Sequence, residues 1–332
     1  MYRSICAHED CIENTGFTLQ EASTVVDCVA YDHPELFWYR TITVSPSTIS
    51  FVYGASAQES AAITAKIEAS AAQFLEGITD QMSAYDVALR LHVRMINTVD
   101  YDTLSLNEEK AAGGPDVHSI DKLRSIYGAF IEGKAVCEGY ARAMQYLLQK
   151  CGIECAEAAG MICDGRQNAG GHAWIIIKID GDYYYLDTTW DDSSDTVQTV
   201  KNDNLGFDFF MITTKELLRS RDLSYCPIAP PECTATRANY HYHNDLVLEK
   251  YDLNKIKQIA VTAAKNKAKF FTVKCTNDTV YRQTRDRLCA DGTDCFEALR
   301  AAAKENKQLA ISYRFSHRDG LRTIAIYFQN KE

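Results

Sequence analysis

The 332-residue sequence predicts an α+β fold in which a helix opening on a cysteine packs on an antiparallel sheet. Three stretches carry that reading. "GKAVCEGYARAMQYLLQKCG" (133–152) places Tyr140, Met144, Leu147, Leu148 and Cys151 at helical spacing after Cys137, and Gly152 closes the run as a C-terminal cap. "HAWIIIKI" and "YYYLDTTW" read as strands joined by Asp180-Gly181, one of the strongest short hairpin signals. Ahead of them, "IECAEAAGMICDG" is apolar enough for a further strand, and "QNAGG" reads as a flexible approach to His172.

The other elements follow in chain order. The first 35 residues show no clear period and are expected to wrap the surface. "ELFWYRTITV" and "TISFVYG" are two strands about Ser45-Pro46-Ser47. Ser56 with Glu59 forms a capping box, and Ile63, Ile67, Ala71, Phe74 and Ile78 make the apolar stripe of the helix it starts. Ser83 with Asp86 opens another helix, to about Asn97, with Val87, Leu91 and Met95 inward. "EKAAGGPDVH" (109–118) is a loop by composition. "FDFFMITTKELL" starts as a strand and becomes a helix, and "CPIAPPEC" is irregular. Beyond Leu246 come a Lys-rich helix (252–268), a strand "KFFTVKC", a helix from Cys295 to Lys304, and strands "LAISYRF" and "RTIAIYF". The expected organisation is an N-terminal α/β extension with a strand hairpin and helix (1–82), a core (83–245) and a small basic α/β domain (246–332).

Composition narrows the function. With 46% hydrophobic and 24% charged residues the chain is of ordinary globular type. No apolar run approaches the roughly 18 residues of a membrane span. Formal charge is −10, yet the stretch from Leu246 onward holds 17 Lys+Arg against 10 Asp+Glu, and the rest 18 against 35. An acidic body argues against nucleic acid as a partner; the basic tail is free to dock on the body or on an acidic partner. The twelve cysteines contain no Cys-x-x-Cys pair. They read as reduced, mostly buried small hydrophobes, which with a charged N-terminus lacking an apolar core predicts a cytoplasmic setting. A leader trimmed from the natural N-terminus would make the protein secreted or surface-attached. Cofactor and metal are not indicated: His241 and His243 would share one strand face, but no third ligand is apparent, and no calcium loop of EF-hand spacing occurs.

Chemistry enters with three polar residues. Cys137 sits at a helix start, where unpaired N–H groups and the positive end of the dipole favour thiolate over thiol. It needs a base, and His172, opening a strand, is the candidate. If Asp180-Gly181 is a two-residue loop, Trp174 faces Asp187 and His172 faces Thr189. His172 and Asp187 then share one sheet face as diagonal neighbours within side-chain reach. A carboxylate there holds one imidazole nitrogen and leaves the other for the thiol, the logic of nucleophile, base and orienting acid.

"GKAVCEGYARAMQYLLQKCGI" followed by "GGHAWIIIKIDGDYYYLDTTWDD" resembles the transglutaminase-like superfamily in its bacterial branch. The matching motifs are Gly-x-x-Cys-x-Gly-Tyr-Ala, His-Ala-Trp and Tyr-x-x-Asp-x-Thr-Trp-Asp, over Gly133 to Asp192, with looser likeness over 85–245. The resemblance implies a papain-like core with Cys137 as nucleophile, His172 as base and Asp187 as orienting acid. The implied chemistry is acyl transfer through a thioester to water or an amine. Cys137 N–H would be one oxyanion donor. True transglutaminases add a tryptophan indole from upstream, but no Trp lies between Trp38 and Trp174; Tyr101 in "VDYDT" is the closest substitute. Trp174 points the same way as His172 and either walls the cleft or belongs to the core. Trp190 reads as structural.

The sequence therefore favours a cysteine hydrolase (peptidase, amidase or deamidase) acting on peptide or isopeptide carbonyls, cell-wall peptide among the candidate substrates. A non-catalytic peptide- or glycan-binding module on the same core, or a true cross-linking transglutaminase, are the rivals.

Overall fold

In the computed structural model, residues 1–163, 170–192 and 205–331 are described. The chain divides into two units, Met1–Ala235 and Thr236–Glu332.

The first unit opens on regular elements where the sequence predicts surface wrapping. These are helix α1 (Tyr2–Cys6), strand β1 (Cys11–Glu13) and helix α2 (Leu19–Asp32). The start of α2 is a full capping box: Thr18 Oγ1 accepts from Glu21 N–H, and Glu21 accepts from Thr18 N–H at 2.9 Å. Strands β2 (Tyr39–Val44) and β3 (Thr48–Tyr53) form the expected hairpin, and β1 adds antiparallel to β3. Ile5, Leu36 and Phe51 make the small core beneath them.

Helix α3 (Ala57–Phe74) carries the predicted Ser56–Glu59 box and buries Ile67, Ala71 and Phe74. It stops at Phe74, so Ile78 lies beyond it rather than on its stripe. Helix α4 (Ala84–Thr98) buries Val87, Leu91 and Met95 as its spacing requires. Strand β4 (Asp100–Tyr101) follows, then α5 (Thr103–Ala111), which takes in residues 109–111 of the expected loop. A π-helical turn, Gly128–Glu132, leads to strand β5 (Lys134–Ala135) and helix α6 (Cys137–Lys150). Tyr140, Met144, Leu147 and Leu148 of α6 are almost wholly buried, each such side chain stabilising by about 1.5–3 kcal/mol.

Strands β6 (Cys155–Met161), β7 (Gly171–Ile179) and β8 (Asp182–Leu186) make an antiparallel sheet in that order, against which α6 packs. Asp180 and Gly181 both take positive φ, and Ile179 pairs with Asp182, so the hairpin has the two-residue loop that the sequence predicts. Strand β8 ends earlier than expected. Asp187 turns the chain into a short helix α7 (Thr188–Asp191), so Thr189 does not pair with His172. Of "QNAGG", residues 167–169 lie outside the described stretch. "FDFFMITT" forms no strand beyond a single bridge between Ile212 and Tyr185, before helix α8 (Thr214–Leu217).

In the second unit, α9 (Tyr240–His243) is helical where a strand was expected, and His241 is buried against Thr272. Strand β9 (Val247–Leu248), helix α10 (Leu253–Lys265), strand β10 (Phe270–Cys275), helices α11 (Asp278–Arg285) and α12 (Thr293–Glu305), and strands β11 (Leu309–Arg318) and β12 (Thr323–Asn330) complete it. The sheet order is β11-β12-β10-β9, and Ile256, Leu299, Val273 and Ile324 lie in its core. All twelve cysteines are free, but only Cys233, Cys275 and Cys295 are buried, contrary to the reading of most as core residues. Among the described residues no helix is long and apolar enough to cross a membrane.

Candidate active site

Cys137 is the first residue of α6 and is partly exposed. Its position is fixed from below. Strands β4 and β5 pair in parallel, with Asp102 N–H donating to Ala135 O at 3.0 Å, and Val136 N–H donates to Leu123 O. Gly139 permits that approach, because a Cβ there would stand 2.5 Å from Leu123 O. The N-cap Val136 offers no side-chain acceptor to the first-turn N–H groups, so the helix end keeps its positive partial charge facing outward. Tyr140, one turn on, donates to Val99 O at 2.7 Å and to Asp192 Oδ2 at 2.8 Å, tying α6 to the turn after β8.

His172 is 6% exposed and Asp187 is 1% exposed. His172 Nε2 donates to Asp187 Oδ2 at 2.8 Å, which leaves Nδ1 as the nitrogen for the Cys137 thiol, itself a hydrogen-bond partner of the ring. Burial works to lower the imidazole pKa. The Asp187 charge and hydrogen bond, then the bond to Cys137, outweigh it and raise the group to about 9. Asp187 shows the complement: burial works to raise its carboxyl, but His172, Arg221 and the Trp190 N–H hold it well below the usual carboxylate range.

A fourth member was not anticipated. Arg221 is fully buried, and its Nη1 donates to the same Asp187 Oδ2 that accepts from His172. Its guanidinium lies 4.0 Å from the Trp190 ring centre, 4.6 Å from Phe209 and 5.1 Å from Trp174. Nothing in the local sequence "RSRDLSY" distinguishes this arginine from its neighbour Arg219; only the fold does.

His92 of α4 is the other buried histidine here. Its Nε2 faces Gly206 O at 3.1 Å and so carries the proton, leaving Nδ1 to accept from Thr188. Burial pushes this imidazole down to about 4, so it is neutral where His172 is charged.

Tyr101 pairs in register with Ala135, two residues before Cys137, with its ring 6.4 Å from that of Tyr140. Trp174 is 1% exposed, a core residue whose ring centre is 5.8 Å from that of His172. The Trp190 ring centre lies 5.4 Å from that of His172. His241 and His243 stand in the second unit, and no group of three metal-ligating side chains occurs among the described residues.

Residues 71–188 match the family model described as the transglutaminase-like superfamily. Over those residues the chain is similar to that superfamily. That match takes in Cys137, His172 and Asp187 and stops short of Arg221. Among solved structures, the chain is similar to a TGase at 11% identity, covering 57% of this chain and 53% of that one, with a TM-score of 0.34. It is also similar to a candidate cysteine protease from Cytophaga hutchinsonii at 16% identity, 37% of each chain and TM-score 0.29. A candidate protease from Parabacteroides distasonis ATCC 8503 follows at 10% identity, covering 44% of this chain and 30% of that one, TM-score 0.26. The chain thus spans about half or less of the length of these structures. None of the curated proteins compared matches it.

Proposed function

We propose that the transglutaminase-like core is a cysteine-dependent acyl-transfer enzyme, foremost a hydrolase of peptide or isopeptide carbonyls. The observation that carries the reading is the His172–Asp187 bond with the Cys137 thiol as the imidazole's other partner. An imidazolium held to about pH 9 is a counter-charge for a thiolate at the open end of α6. Cys137 Sγ attacks the carbonyl carbon, and the oxyanion is met by Cys137 N–H, with the Tyr101 hydroxyl as the second donor. His172 passes its proton to the leaving amine as the C–N bond breaks, giving a thioester. Water, deprotonated by His172, then attacks the thioester; the acid is released and the proton returns to the Cys137–His172 pair. Hydrolysis is favoured over cross-linking because no indole stands between Trp38 and Trp174. A peptide, cell-wall peptide included, is the substrate class; the acidic body argues against nucleic acid.

The test is labelling of the full chain by a cysteine-directed acylating probe and by iodoacetamide from pH 4.5 to 9, resolved by peptide. Cys137 should label ahead of the other eleven cysteines. Cys137→Ala should abolish turnover and probe capture without changing the melting temperature. Labelling of Cys137 at the pace of exposed Cys6 or Cys163 would overturn the enzyme reading in favour of a binding module. Amine incorporation exceeding hydrolysis would move it to cross-linking.

A further inference from the structure

Asp187 Oδ2 accepts from two cations at once, one titratable and one permanent. A guanidinium withdrawn from water is destabilising unless its charge is met, and the charge here is met by the carboxylate that also holds the imidazole. The aromatic faces around Arg221 include Trp190 and Trp174, two rings that also lie near His172. Arg221 is also anchored through its backbone. It bridges Ile162, its N–H donates to Leu217 O, and the next residue, Asp222, accepts from Met161 N–H at 2.7 Å. Strand β6, beside β7, therefore sets where the guanidinium sits.

We propose that Arg221 is a positioning residue of the Cys137–His172–Asp187 site, fixing the Asp187 carboxylate and dividing its charge so that His172 can surrender its proton during turnover. A buried carboxylate facing an imidazolium alone binds that proton too firmly for a group that must deliver it to a leaving amine. Arg221 draws part of the carboxylate's charge and repels the imidazolium. The proposal rests on the cysteine-enzyme reading. The other titratable groups facing this site are Cys137 and Tyr140 from α6, His92 from α4, and Asp191 and Asp192 at the end of α7.

The test follows the His172 ring by NMR in the full chain, its signal assigned by loss in His172→Asn. Arg221→Gln removes the charge and keeps an N–H donor; Arg221→Lys keeps the charge. The glutamine variant should raise the His172 midpoint by about one pH unit, while the lysine variant stays near the wild-type value. A space-filling arginine would lower the melting temperature in both and leave the midpoint in place. An unmoved or lowered midpoint in folded Arg221→Gln overturns the proposal. Should that variant not fold, the wild type decides: the Arg221 guanidinium nitrogen signal must inflect at the His172 midpoint, and a flat signal overturns it. None of these readings needs Cys137 to react. A failed enzyme reading shows instead as absent probe capture in the wild type.

Discussion

Residue identity alone does not set chemistry in this core. His92 and His172 are both buried, but one is held neutral by desolvation and the other charged by a carboxylate. Replacing Asp187 by Asn should therefore reverse His172. With the counter-charge gone, burial dominates, and the imidazole midpoint should fall from about 9 to below 6.5. The same change removes one partner of a buried ion pair, at a cost on the order of 3–5 kcal/mol. Ring NMR and urea unfolding of Asp187→Asn check both; a midpoint that stays near 9 would show that Asp187 is not what holds the proton. The closeness of His172 and Asp187 could be read from the sequence because a two-residue turn fixes which residues of the hairpin face one another, while Cys137 stood out by its place at a helix start. Arg221 could not, since it reaches Asp187 across 34 positions and nothing periodic points to it.

At the scale of elements, close packing around β6 is the lever. Gly160 pairs with His172, and a Cβ on it would lie 2.1 Å from Asp222 O. Gly160→Ala must displace the backbone beside Arg221, so it should lower the rate of Cys137 alkylation as well as the melting temperature. Ser56→Ala removes only the α3 cap and should cost about 1 kcal/mol with alkylation unchanged. Equal alkylation in the two variants would sever the link from β6 to the site. Helices with a broad apolar face, α4 and α6, were plain in the sequence. Helix α2 was not, because it buries only Ala22 and Val26, although the Thr18–Glu21 box stood in view. The early end of β8 was hidden for another reason: Asp187 caps α7 through Trp190 N–H while serving His172, two roles that strand propensity does not anticipate.

For the whole molecule, the shifted groups of the first unit set a pH dependence of stability. His172 is raised to about 9 from 6.5, so its contribution is complete below about 6.5 and is lost as pH rises towards 9. His92 is lowered to about 4, so it erodes stability as pH falls from 6.5 towards 4. Asp187 is depressed, and its contribution, present above the ordinary carboxylate range, fades only in stronger acid. The gap in melting temperature between wild type and His172→Asn should thus be constant below pH 6.5 and shrink by pH 9; a gap that widens with pH contradicts this. The origin of each charged group has a practical consequence. His172, Asp187 and Arg221 come from β7, the residue after β8 and the segment after α8, whereas α6 supplies the sulfur. A Cys137→Ala protein keeps the contacts of Asp187 with His172 and Arg221 while losing the bond-forming atom and one hydrogen-bond partner of the imidazole. On the proposed function, such a variant should act as a stalled receptor that holds a peptide substrate uncut long enough for it to be identified.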